Sequence, residues 1–342
     1  MAHASKAGTI AKRTLQALPV LAGIVVVTFL LTRALPGDPA AYFAGPSADA
    51  HSIAEIRKSL GLDRSLPEQL LVYVGQLARG DLGQSISTGQ PVMEELVRRL
   101  PASLELTLAA LILSIGIAVP LGILAATHPD SWIDHLCRFL TTAGVSLPTF
   151  FTGLALVYLF YYLLGIAPAP MGRLDIAVLS PPHITGFYTV DALLAGDPAT
   201  ARAALAQLTL PAITLALFTL APIARMTRGA MLQVLASEFV RTARAAGLSG
   251  RTVLFTYAFR NALLPVITTL GMVFSFALGA NVLVEQVFAW PGIGSFAIEA
   301  LVVSDYAAVQ GFVLAMAILF VLLNLIIDVA YTLIDPRVGT EV

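Results

Sequence analysis

Asn324 and Asp328 lie one helical turn apart in a run of Leu, Ile, Val and Phe that carries no other charge. Polar groups in such a setting either tie neighbouring helices together or line a polar passage, because hydrocarbon offers them no partner. Gly271, Ser275 and Gly279 recur every four residues in a second apolar run, the spacing of a helix face that another helix can approach closely. Glu285 and the Trp290-Pro291-Gly292 turn follow that run and are expected to shape a mouth at its end, while Trp290 alone also fits an interfacial anchor. Covalent chemistry has no such footing. The chain has no GxxxxGK[ST] loop to cradle nucleotide phosphates, no HExxH, no GxSxG, and one cysteine, Cys137, without a CxxC partner. His183 stands alone in a Pro-rich segment, short of the ligand set a metal site gathers. No cofactor or metal is expected on this chain.

The elements that must hold these residues are membrane helices. Hydrophobic residues make up 57% of the 342 and charged ones only 12%, about half the charged share of a soluble chain. A net charge of −1 gives no footprint for nucleic acid. Six apolar runs of about 20 residues, the length that crosses ~30 Å of hydrocarbon, fall at 14–32, 103–126, 139–164, 208–227, 262–284 and 312–333. Lys6, Lys12 and Arg13 look like the basic start of a signal peptide, but the run behind them is too long, and its removal would leave an odd number of spans. Lys and Arg in the loops put both termini in the cytoplasm, together with Arg138, Arg225, Arg228, Arg241, Arg244, Arg251 and Arg260. The fold expected is an all-α membrane protein of six transmembrane helices.

Two loops carry structure of their own. Segment 33–102, outside after the first span, is expected to form a helical insert folded against the span ends. Ile53, Ile56 and Leu60 share a face before Gly61, and Ser65 with Glu68 makes a capping box ahead of Leu70, Leu71, Val74 and Leu77. The second outer loop, 165–207, is rich in Pro and Gly and reads as irregular. In the cytoplasmic loop 229–261, Ser237 can cap a helix through Phe239, Val240 and Ala243 that stops at Gly247. Ser249 can cap a second one through Val253, Leu254, Tyr257 and Ala258. Two short amphipathic helices around a glycine make a knob for a partner's groove. A basic helix lying on anionic headgroups has the same spacing, and the residues alone leave both open.

The stretch from Glu238 to Ser249, followed by Phe259-Arg260-Asn261 and Leu264-Pro265, resembles the coupling loop of binding-protein-dependent ABC importer permeases, and within them the B-type subunit of the dipeptide/oligopeptide/nickel class. Thr28 to Pro39 looks like that class's signature at the end of the first span. Gly80 to Gly83, Pro91-Val92, Arg99 to Pro101, Glu285 to Gly294, Asp305-Tyr306 and Asp335 to Arg337 agree along the chain, and Thr185-Gly186-Phe187 is closest to the dipeptide branch. There are departures: Arg241-Thr242-Ala243 stands where the wider superfamily has Glu-Ala-Ala, and Ala246 where the peptide class often has Lys.

The resemblance implies a type I importer permease: one transmembrane domain over 1–342, with 33–102 as an extracytoplasmic insert and 229–261 as the coupling loop. It implies Glu238, Phe239, Arg241, Thr242, Ala243, Arg244, Gly247, Leu248 and Pro265 at the contact with an ATPase. Gly271, Ser275, Gly279, Asn324 and Asp328 would serve the translocation path or helix packing. It further implies a homologous second permease, two ATPase subunits holding ATP and Mg, and an external solute-binding protein, all at the plasma membrane. The alternative is an ion-coupled secondary transporter, which needs ionisable groups at mid-bilayer and an internal repeat. The spans hold almost none of the former, and no repeat is evident.

Overall fold

The computed structural model describes residues 6–34, 38–45 and 48–334. Along the chain, helices run as α1 (Lys6–Ala34), α2 (Pro39–Ala44), α3 (Ala50–Ser59), α4 (Leu66–Leu77), α5 (Val92–Thr127), α6 (Trp132–Ser146) and α7 (Thr149–Leu156). They continue as α8 (Tyr188–Leu194), α9 (Pro198–Leu235), α10 (Glu238–Ala245), α11 (Arg260–Val287), α12 (Ile293–Val302) and α13 (Tyr306–Ile334). Two π-helical segments, Val157–Leu163 and Thr252–Phe259, extend α7 and lead into α11. No strand occurs among the described residues.

Four helices are long and apolar enough to cross a membrane: Val92–Thr127, Pro198–Leu235, Thr252–Val287 and Tyr306–Ile327. They contain the second, fourth and fifth expected runs and most of the sixth. The third run, 139–164, is not one straight helix, because Trp132–Gly144 and Thr149–Leu163 meet at 105°. Pro148 accounts for the break: the residue before a proline is pushed out of helical conformation, and Leu147 is extended at φ −107°, ψ 136°. The first run lies in α1, whose apolar described part is Leu18–Ala34. The described residues thus give four crossings, or five with the bent pair, against the six expected.

The chain divides into two compact units. The first holds Met1–Pro101 and Gly292–Leu325. Its core gathers Val92, Leu96, Ile293, Phe296, Ala300 and Ala308. Gly311 packs there so tightly that an added Cβ would stand 2.5 Å from Val92. The insert helices form as expected, and the Ser65 N–H donates to Glu68 across 3.1 Å, one arm of the capping box. Their apolar faces are less buried than expected. Among the described residues α3 buries none and α4 only Tyr73, while Leu71 is 73% exposed. Tyr73 stacks on Phe29 of α1, ring centroids 6.0 Å apart.

The second unit holds Ala102–Pro291 and Ile326–Val342. Its centre is α9, which packs against α6, α7, α8 and α11. Side chains too small to keep backbones apart permit this. A Cβ on Gly122 would sit 2.9 Å from the Ala224 carbonyl of α9, and one on Gly144 would sit 2.7 Å from that of Leu217. The loop 165–207 is more ordered than expected. Asp197 caps α9 by accepting from the Ala199 and Thr200 N–H groups, and Pro198 at the first helical position starts the helix ten residues before the expected span.

Candidate functional site

At one end of the second unit, α9 runs to Leu235 and hands over to α10. Ser237 takes the N-cap position with extended backbone (φ −75°, ψ 153°), but its hydroxyl donates back to the Val234 carbonyl at 2.6 Å and leaves the cap unmade. Val240, Ala243 and Val253 form a small buried cluster that Val234 and Leu235 adjoin, which pins the loop to the end of α9. Gly247 ends α10 with φ +75°. The N–H of Gly247 donates to Arg244 and that of Leu248 to Ala243, at 3.0 and 3.3 Å, so the turn closes the helix in the left-handed manner glycine allows.

Only Val240 and Ala243 of α10 are buried. Phe239 and Leu248 are 44% and 39% exposed, so two large apolar groups face outward beside Glu238, Arg241 and Arg244. The Glu238–Arg241 pair (2.9 Å) is fully solvated and holds little. Thr242 donates to the Glu238 carbonyl and is spent within the helix. The second expected helix is present but not separate. Ser249 Oγ accepts from the Thr252 N–H at 3.3 Å, and the chain then stays helical through the π segment into α11, to Val287. Pro265 lies exposed inside that helix, within the fifth expected run. The free part of the loop is shorter than 229–261, because both flanking spans run into it.

At the other end of the unit, residues of the α5 start receive three contacts. Glu285 is 1% exposed and accepts from the Ser103 hydroxyl (2.5 Å) and the Asn281 amide (3.0 Å). Trp290, also 1% exposed, donates from Nε1 to the Ala102 carbonyl at 2.9 Å. Glu105 accepts from Arg173 at 2.6 Å and from Thr189 N–H and Oγ1 at 2.9 and 2.6 Å. The expected mouth residues Glu285 and Trp290 are thus interior clamps, neither a rim nor an interfacial anchor, and of that turn Pro291 is exposed. Gly172 (φ +94°) lets the loop 165–187 lie against Ala289, whose carbonyl would be 3.0 Å from a Cβ there. Thr185-Gly186-Phe187 wraps Asp191: burial alone would raise that carboxyl, but donors from Thr185, Ile184 and Gly186 hold it below the usual range.

The small-residue face separates into two parts. Gly271 is buried, and a Cβ there would strike Ile327 at 2.0 Å; Ser275 donates to the Gly271 carbonyl, while Gly279 is exposed with nothing within 4 Å. Asn324 is exposed and donates to the Phe320 carbonyl of its own helix. The side chain of Asp328, and Asp335 to Arg337, lie outside the described residues. Gly292 caps α12 with extended backbone.

Sequence reasoning missed a buried carboxylate. Asp134 is fully buried and takes both arms of Arg228 from α9 (2.5 and 2.9 Å) plus Arg138 of its own helix (2.5 Å). Its signal was an Asp four residues before an Arg at a helix start; its partner 94 residues on gave none.

These features describe a helical membrane component that presents a knob at one end. The chain belongs to the family of binding-protein-dependent transport system inner membrane components, which matches residues 118–340, with the family's N-terminal segment matching 8–107. It is 46% identical to the probable D,D-dipeptide transport system permease protein DdpB of Escherichia coli K12 over 320 residues, 94% of each chain. It is 42% identical to the di/tripeptide transport system permease protein DppB of Pseudomonas aeruginosa over 330 residues, 96% of this chain and 98% of that one. To the dipeptide transport system permease protein DppB of Alkalihalophilus pseudofirmus the identity is 39% over 329 residues, again 96% and 98%. The chain is therefore a multi-pass inner-membrane transport component.

Proposed function

We propose that this chain is one of two membrane-spanning halves of an ATP-driven importer for dipeptides or similar small peptides, coupled through α10 and its flanks to an ATPase. The observation that carries the coupling is the knob itself: Phe239, Leu248 and Arg244 face outward from a helix that Val240 and Ala243 fasten to α9. A partner that grips this surface would act on α9 and, through the π segment, on α11, which also pack on each other. A push at the loop then reaches two spans at once, whereas a headgroup-bound segment would have nothing to transmit.

The absence of a phosphate-cradling loop from the sequence assigns ATP and Mg to separate ATPase subunits. A homologous second permease and an external solute-binding protein complete the system. The names of the relatives, which transport D,D-dipeptides, di- and tripeptides and dipeptides, support small peptides as the solute. Lys and Arg in the loops favour cytoplasmic termini and an external 33–102. The whole chain, 1–342, acts as one permease domain carrying that insert and the coupling loop. Gly279 and Asn324, exposed on apolar helices, are available to the second permease.

The test is copurification of the full chain from native membranes together with uptake of labelled dipeptide. Stoichiometric ATPase and second permease are expected, and Leu248→Asp, which puts a charge on the knob, should release the ATPase and abolish uptake. Uptake driven by an ion gradient, by a preparation without ATPase, would overturn the proposal in favour of a secondary transporter.

A further inference from the structure

A cavity of about 470 Å³ in the first unit lies beside Arg33, at the end of α1. Its wall carries Arg33, Arg64, Gln69, Gln76, Tyr306 and Gln310, and among the described residues no carboxylate lines it. The Arg33 guanidinium stacks on Phe29 and Tyr306, 4.7 and 4.9 Å from the ring centroids, and its Nε donates to Gln69 at 2.9 Å. Its Nη1 is buried and has no acceptor among the described residues. A guanidinium held this firmly, with one donor to spare, has the chemistry to bind an anion.

Behind the same wall is an apolar groove of about 640 Å³, lined by Val20, Ile24, Val27 and Leu31 of α1 and by Leu301 and Val313. The hydrogen bond from Gln310 to the Thr32 hydroxyl, 2.8 Å, stands between them, since Gln310 lines the cavity and Thr32 the groove. From Val20 to Thr32 the groove follows α1 for about 18 Å at 1.5 Å per residue. A hydrophilic solute would satisfy only the cavity and a hydrocarbon only the groove. One molecule with an anionic head and an apolar tail satisfies both. We propose that this unit holds an anionic phospholipid, its phosphate on Arg33 and an acyl chain along α1.

The test uses the complex that copurifies with the chain, stripped of lipid and titrated with phosphatidylglycerol or phosphatidylcholine under native mass spectrometry. Phosphatidylglycerol should be retained several-fold better. Arg33→Gln should weaken it about fivefold, the effect of one basic residue near a lipid surface. Gln76→Glu changes an exposed side chain on the cavity wall, so it tests the same field without risk to the fold. It should weaken phosphatidylglycerol binding by a similar factor and leave phosphatidylcholine nearly unaffected. Val27→Trp, which fills the groove, should lower retention of both lipids. Equal retention of phosphatidylglycerol by wild type, Arg33→Gln and Gln76→Glu would overturn the proposal. So would displacement of the lipid by glycerol phosphate at equal concentration, which would make the ligand a free anion.

Discussion

Replacing Gly247 isolates backbone geometry from side-chain bulk. Its φ of +75° belongs to the left-handed region, and a Cβ placed there would meet nothing within 4 Å. A substitution within this chain therefore costs only conformational strain. For alanine that is about 1–2 kcal/mol, for asparagine less, and for β-branched valine more. The turn is held by two hydrogen bonds and by the Val240–Ala243–Val253 cluster, a modest anchorage that strain of this size can shift. A change of 1–2 kcal/mol alters the balance of two conformers by roughly 5- to 30-fold. If the ATPase recognises only the present turn, its apparent affinity should fall by that factor for Gly247→Ala, further for Gly247→Val and least for Gly247→Asn. The assay is ATPase titration onto the reconstituted complex, with solute-stimulated ATP hydrolysis and uptake measured in parallel. Wild-type affinity for Gly247→Val would refute the reasoning. Equal damage from Asn and Val would refute it differently, by showing that the partner rejects any side chain there.

Other consequences are as direct. Asp134→Asn should lower thermal stability in detergent by a few degrees, because Arg228 and Arg138 lose their shared carboxylate, a loss softened by the access both arginines keep to solvent; an unchanged melting temperature would show that the pair is neutral. Gly122→Leu should impair assembly of the fold more than Gly279→Leu, since only the first meets a backbone carbonyl. Gly279→Leu should instead weaken association with the second permease, read by copurification. Trp290→Phe removes the indole donor to Ala102, whose carbonyl keeps its place in the α5 helix, and should cost about 0.5–1.5 kcal/mol, the net worth of one hydrogen bond, measured as thermal stability. Asp191 gives a pH signature. Its folded carboxyl titrates below the ordinary value of about 3.9, so its stabilising effect is complete above that value and fades as pH falls through and below it. Asp191→Asn should flatten this acid limb of the stability profile.

The parts legible in the sequence were those set by local rules. Gly247 stops α10, Ser249 caps the next helix, the Ser65–Glu68 box starts α4, and apolar length marks the spans; each depends on residues within a few positions. What sequence alone missed depends on pairing across the chain. Asp134 meets Arg228 and Glu105 meets Arg173 over 94 and 68 positions, and no periodicity announces such partners. Glu285 and Trp290 were expected at an opening because a charge and an indole next to an apolar run usually meet water. Their burial follows from Ala102 and Ser103, whose carbonyl and hydroxyl groups supply the missing partners. The continuity of the loop with α11 gave no local signal: the fifth expected run starts at Ala262, whereas the π segment Thr252–Phe259 carries the helix straight into it.

With 38 residues α9 measures about 57 Å, nearly twice the ~30 Å hydrocarbon core. It also contains Pro211 and Pro222, each of which withholds one hydrogen bond from the turn before it. The helix is therefore an articulated lever rather than a rod. From Pro222 to Leu235 the near arm is about 20 Å and is tied to α6 through Arg228 and Asp134, so a swing of roughly 10° at that joint carries the knob about 3 Å and takes α6 with it. The far arm, where Leu208, Leu210 and Leu215 are packed in the core, can stay where it is. A partner that grips the knob thus moves part of the core with it, because Ile223, Ala224, Ala230 and Met231 of the near arm are buried.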